Sequence, residues 1–177
     1  MTTRIAFLRA VNLGRRTVPM RRLVGVCENV GYEHVWTHAN SGNAVFDATG
    51  SRVSIEQALE RALESAFGFE VTTFVRTPAE LEAAVALDPF PLAAGDTYFI
   101  TFLKRPPSAA VRRQLEEASN SFDTLVVHGR DVHWRMRGRS TETTVKAATW
   151  KSVGEHGSTS RNANLLGKLV AKIERAR

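Results

Sequence analysis

Short apolar runs alternate with stretches of helical spacing along the whole chain, and the alternation repeats. Residues 3–9 carry Ile5, Phe7 and Leu8 and predict a strand. Residues 11–18 form a loop around Gly14. Pro19 then opens a helix at its first position, with Met20, Leu23, Val24, Cys27 and Val30 at helical spacing and Gly31 at its end. Residues 35–39 and 44–46 predict two short strands joined by the turn Asn40-Ser41-Gly42-Asn43. Ser54 and Gln57 have capping-box spacing, and Ile55, Leu59, Ala62, Leu63 and Ala66 make an apolar stripe behind them. Residues 69–75 read as a fourth strand. Strand, helix, strand, strand, helix, strand is a split βαβ plan.

The plan then begins again. Thr77, Pro78 and Glu80 carry helix-start signals, and this helix stops before Pro89. Residues 88–96 hold two prolines and a glycine and predict a connector. Beyond it come a strand at 97–103, a helix at 111–118, and a hairpin of 124–128 with 131–136 around Gly129 and Arg130. A helix is expected at 144–151. The last helix, 162–176, has Leu165, Leu166, Leu169, Val170 and Ile173 on one face. No run in the second half stands out as a fourth strand. The expected fold is therefore α+β: a tandem duplication of a ferredoxin-like unit, the second copy modified, with a C-terminal helix. The halves are 1–87 and 97–177, joined by 88–96 in one compact globule.

The 177 residues suffice for that core without metal or disulfide, and the lone Cys27, on the apolar stripe of its helix, reads as an inert buried thiol. No stretch reaches the apolar length of a membrane helix, and arginines interrupt residues 1–16 where a signal peptide needs an apolar segment. A cytoplasmic protein without a membrane partner is the expectation. Net charge is +6, unevenly spread: −5 over residues 51–100 and +7 over 128–177. Basic ends permit an anionic partner. The excess of Arg (19) over Lys (5) suits phosphate or carboxylate, although a genome-wide bias would produce it too.

The polar constellations lie mostly in loops. Arg9, Asn12, Gly14, Arg15 and Arg16 stand where the first strand opens, a place suited to recognition. Arg15, Arg16, Arg21 and Arg22 suit phosphate contacts or a solvated basic surface equally. Ser41 and Asn43 belong to a turn, with His38 the nearest base. Ser158, Thr159, Ser160, Arg161 and Asn162 precede the last helix, where helix amides and a guanidinium fit an anion, and where the same hydroxyls serve as a cap. For Arg161 the alternative is a structural staple. In the hairpin, a two-residue turn pairs His128 with Asp131. Leu125, Val127, Val132, Trp134 and Met136 then face the core, and Val126, His128, Asp131, His133, Arg135 and Arg137 share a face that suits an anion or solvent. No metal site is expected, since no third His is near and neither HExxH nor a CxxC pair occurs. No cofactor is expected either: GxGxxG, the Walker phosphate loop and GxSxG are all absent.

Leu8-Arg9-Ala10-Val11-Asn12-Leu13-Gly14 followed by Pro19-Met20, then Ser41-Gly42-Asn43-Ala44-Val45-Phe46, then Thr159-Ser160-Arg161-Asn162, resemble in order three signatures of the bacterial family called domain of unknown function 1697. The resemblance implies a duplicated α+β fold and a cytoplasmic bacterial protein, and implies no reaction. Arg15 stands where the family usually has a second Gly, Asn40 where it has Gln, and Ala163 where it has Trp. The leading expectation is a protein that binds a phosphate-containing or other anionic ligand: a nucleotide, RNA or a phosphorylated metabolite. No RNP-like aromatic pair, GXXG loop or zinc finger supports nucleic acid. One rival is an enzyme with Arg9, Asn12, Ser41, Asn43, Arg161 and Asn162 in a polar cleft between the halves, the arginines as anion clamps and the asparagines as orienting groups. The other is a scaffold or assembly protein, which predicts an exposed apolar patch.

Overall fold

A computed structural model describes residues 1–12 and 14–176. Leu13, within the first signature, lies outside the described residues. The fold is α+β, a duplicated ferredoxin-like unit with a C-terminal helix. It divides into two compact units, Met1–Leu81 and Glu82–Arg177. In the first unit β1 (Thr2–Leu8), α1 (Met20–Asn29), β2 (Glu33–Thr37), β3 (Asn43–Ala48), α2 (Arg52–Phe67) and β4 (Thr73–Arg76) form an antiparallel sheet of order β2-β3-β1-β4. The helix α3 (Pro78–Leu87) follows. In the second unit β5 (Thr97–Phe102), α4 (Ala109–Glu117), β6 (Asp123–His128), β7 (Asp131–Met136), α5 (Ala147–Lys151) and β8 (Thr159–Asn162) give the order β6-β7-β5-β8, and α6 (Ala163–Ala176) follows. The two orders correspond strand for strand. The fourth strand that the apolar pattern does not reveal is β8. Its residues are Thr-Ser-Arg-Asn, and it pairs with β5 from Phe99↔Asn162 to Phe102↔Thr159.

One face of the first sheet carries Ala6, Leu8, Ala44, Phe46 and Val75 against Leu23 and Cys27 of α1 and Ile55, Leu59 and Leu63 of α2. Tyr32 stacks on Phe46 with ring centroids 4.4 Å apart. Burial pushes the Cys27 thiol up to about 12, as expected of an inert thiol. Two local expectations shift. Pro19 is the N-cap of α1 rather than its first helical residue, and α2 is capped by Ser51, whose hydroxyl accepts the Ser54 amide at 3.1 Å. The box at Thr77 and Glu80 forms as spaced: Thr77 N donates to Glu80 Oε2 at 2.8 Å and Glu80 N to Thr77 Oγ1 at 3.2 Å.

The outer edge of β4 is closed by α2. Glu56 and Glu60, one turn apart, accept the Val75 and Thr73 amides at 3.0 and 2.7 Å. At the β6 edge of the second sheet, Glu116 and Ser119 accept the Val127 and Leu125 amides at 3.2 and 2.9 Å. Edge amides bonded to side chains cannot recruit a further strand.

The second core gathers Leu115, Leu125, Val127, Val132, Trp134 and Met136, with Trp150 of α5 at 5.1 Å from Trp134. Asp123, fully buried, holds this side together. Its carboxylate accepts Trp134 Nε1 (2.9 Å), Thr143 Oγ1 (2.8 Å), and the amide and hydroxyl of Thr144 (3.0 and 3.1 Å). Burial alone raises its pKa; the hydrogen bonds from Thr144, Thr143 and Trp134 outweigh it and hold the group below its ordinary 3.8. Asp123→Ala is expected to lower stability by roughly 3 kcal/mol, because it leaves buried donors unpaired. The folded pKa is depressed, so this contribution is full above pH 3.8 and is lost as pH falls through the folded value. Urea denaturation of both proteins across an acid series checks both statements: the difference between them must shrink at the acid end.

Candidate functional site

In the first unit the chain leaves β1 into a loop that meets the β2–β3 turn. Leu8 N donates to Gly42 O at 2.8 Å. Asn12 binds both segments: Nδ2 donates to Asn40 O at 2.5 Å, Oδ1 accepts Val18 N at 2.9 Å, and the Asn12 amide donates to Arg16 O at 2.7 Å. Asn43 is fully buried and organises the turn, donating to His38 O at 2.7 Å and Ser41 Oγ at 3.0 Å. Ser41 thus braces the loop. Arg9, Asn12, Gly14, Ser41 and Asn43, singled out separately along the chain, therefore share one end of one sheet.

The backbone here is unusual. Ala10, Asn12 and Gly14 have φ of 52°, 57° and 57°, and Ala39 and Gly42 opposite have 57° and 76°. For Ala this left-handed region costs about 1–3 kcal/mol, while Asn tolerates it more readily. Arg9 and Arg15 are exposed at this bend. Arg16 and Arg22 are not free for a ligand. Arg16 lies 5.0 Å over the Phe69 ring and donates to Glu70 O; Arg22 lies 4.6 Å over Phe67 and donates to Ala66 O.

In the second unit Thr159, Arg161 and Asn162 lie on β8 rather than in a loop. Arg161 is only 7% exposed and donates to Thr159 Oγ1 at 2.8 Å and Ser160 O at 2.9 Å; burial lowers its pKa to about 10. Asn162 Oδ1 accepts the Asn164 amide at 2.9 Å and so caps α6. The hairpin register pairs His128 with Asp131, with the predicted core face inward.

The opposite hairpin face is not an open basic surface. Tyr98, Ile100 and Phe102 of β5 share it and make it apolar. His133 has no exposed surface; its Nδ1 meets Tyr98 OH at 2.6 Å, and its Nε2 has no partner among the described residues. Half-buried Arg135 donates to Thr124 Oγ1 at 2.5 Å and lies 5.5 Å over Phe90. His128 and Arg137 are exposed, Arg137 paired with Asp96 at 2.8 Å. Among the described residues no cluster of three His, Cys, Asp or Glu could hold a metal ion, and no helix is long and apolar enough to cross a membrane.

Residues 1–133 match the family described as "Protein of unknown function (DUF1697)". Among solved structures, the conserved bacterial protein SP0830 from Streptococcus pneumoniae is similar over 98% of this chain and 99% of its own, with a TM-score of 0.75 at 19% identity. That likeness is one of fold. No curated protein matches.

Two outcomes are expected. A Cβ on Gly42 would stand 2.6 Å from Val11 Cγ2 and 2.9 Å from Leu8 Cβ, at a φ of 76°. Gly42→Ala should therefore cost about 2 kcal/mol or more and spread the two loops, seen as a lowered melting temperature and faster exchange of the Leu8 amide. His133 is kept neutral chiefly by burial, its pKa below the ordinary 6.5. Unfolding below pH 6.5 then takes up a proton, so stability falls on acidification from that pH to the folded value. His133→Phe should flatten this part of the pH–stability curve; an unchanged slope would contradict the assignment.

Proposed function

The chain belongs to the DUF1697 family of proteins of unknown function, and from that premise we propose that the loop between β1 and α1 binds a small phosphate-bearing or otherwise anionic ligand. The left-handed residues Ala10, Asn12 and Gly14, set between exposed Arg9 and Arg15, carry this reading. Backbone held in a sparsely populated region of a loop is a mark of functional sites. The two arginines supply charge-assisted contacts. Asn12 and Asn43 hold the two loops in place and act as positioning residues.

A small molecule is favoured over nucleic acid by the fate of the neighbouring arginines. Arg16 and Arg22 are drawn over Phe69 and Phe67, which breaks up the basic strip that a polyanion would need. Arg161 is assigned to the fold on the strength of its burial and its bonds within β8.

Calorimetric titration with pyrophosphate, AMP and single-stranded RNA at two salt concentrations tests the proposal. Pyrophosphate or AMP should bind, and Arg9→Ala or Arg15→Ala should weaken that binding by roughly 1.5–3 kcal/mol, the worth of a charge-assisted hydrogen bond. Tight RNA binding with a steep salt dependence would replace the small ligand by nucleic acid. Equal binding by the wild type and by both single variants would overturn the site.

A further inference from the structure

The second unit holds a concave site of its own. The β5–α4 connection and residues 152–157, between α5 and β8, line a half-open cavity of about 280 Å3. That is just below the ~300–1,000 Å3 usual for small-molecule sites. Its lining has two characters. Pro107, Val111 and Val153 supply apolar surface, while Arg105, Lys104 and His156 bring cationic or titratable groups. Arg105 is exposed and makes no hydrogen bond or ion pair among the described residues. His156 Nε2 lies 3.5 Å from Glu155 Oε1, and that carboxylate is itself largely in solvent. Ser108, the N-cap of the nine-residue α4, also lines the cavity and adds the positive end of a helix dipole.

We propose that this cavity binds a small molecule with a phosphate group and an apolar or planar body, such as a nucleoside monophosphate. The phosphate would meet Arg105 in the connection before α4, and the body would lie on Pro107, Val111 and Val153. The cations alone would suit any anion; the apolar surface beside them selects one with a hydrophobic part. This site is separate in residues and in unit from the β1–α1 loop and does not depend on it.

An amide NMR titration of the full chain with AMP, phenyl phosphate and inorganic phosphate tests it. AMP and phenyl phosphate should shift residues 104–108 and 152–157. Arg105→Glu, at an exposed position where folding is unaffected, should weaken both ligands about tenfold or more. Arg9→Ala should leave these shifts in place. Shifts confined to the first unit, or an Arg105→Glu protein that binds as well as the wild type, would overturn the proposal. Inorganic phosphate binding as tightly as AMP would remove the apolar half of the assignment and refute the ligand class.

Discussion

Each unit is built on a central strand that must be buried on both faces. β1 and β5 are those strands, and they carry matched residues: Thr2 with Thr97, Ile5 with Ile100, Phe7 with Phe102, and Leu8 just inside the end of β1 with Leu103 just past the end of β5. Ile5, Phe7 and Leu8 are at most 1% exposed, and Ile100, Phe102 and Leu103 at most 2%. A strand with no wet face needs a paired neighbour on either side and apolar cover above and below. Here β3 and β4 flank β1, β7 and β8 flank β5, and α1 and α2 cover one face of the first sheet.

The duplication also explains the arginine of the third signature. Arg161 lies opposite Ile100 in β8, and Arg76 lies opposite Ile5 in β4. Both are buried, at 7% and 1% exposure, and each donates from Nη1 to the carbonyl of the residue before it, Ser160 or Val75. Each is followed by a capping residue, Asn162 or Thr77, and then by a helix. An arginine repeated in both copies at the same register fits the structural role proposed for Arg161. Its long stem can pack among apolar side chains while its head bonds the backbone beside it.

Much of this was legible in the residues, and the exceptions have physical causes. The hairpin faces, the capping box at Thr77 and the duplicated order follow from periodicity and turn chemistry. β8 does not, because Thr-Ser-Arg-Asn has no apolar alternation and is a strand only because β5 offers an edge. The burial of His133 escapes notice for a similar reason: a polar residue on an alternating strand reads as outward until Tyr98 and Ile100 are placed beside it. The cap of α2 moved from Ser54 to Ser51 since both hydroxyls fit and only the backbone decides. At the candidate site the residue types were visible, but the left-handed backbone of Ala10 and Ala39 was not, since alanine gives no sign of it.

That backbone separates architecture from function. The second unit has the same crossing from its central strand to its first helix, through Lys104-Arg105-Pro106-Pro107-Ser108, and none of these residues is left-handed. The topology can therefore be closed without strain. The first unit closes it with left-handed Ala10 and Asn12 and then spends two side-chain hydrogen bonds of Asn12 holding the result. Strain that the fold does not require, kept in place by dedicated bonds and bordered by exposed arginines, points to a demand from outside the fold. The anionic ligand proposed for this loop would be such a demand. The unstrained crossing of the second unit instead leaves a cavity beside Arg105, so the two copies have turned one connection into two different surfaces.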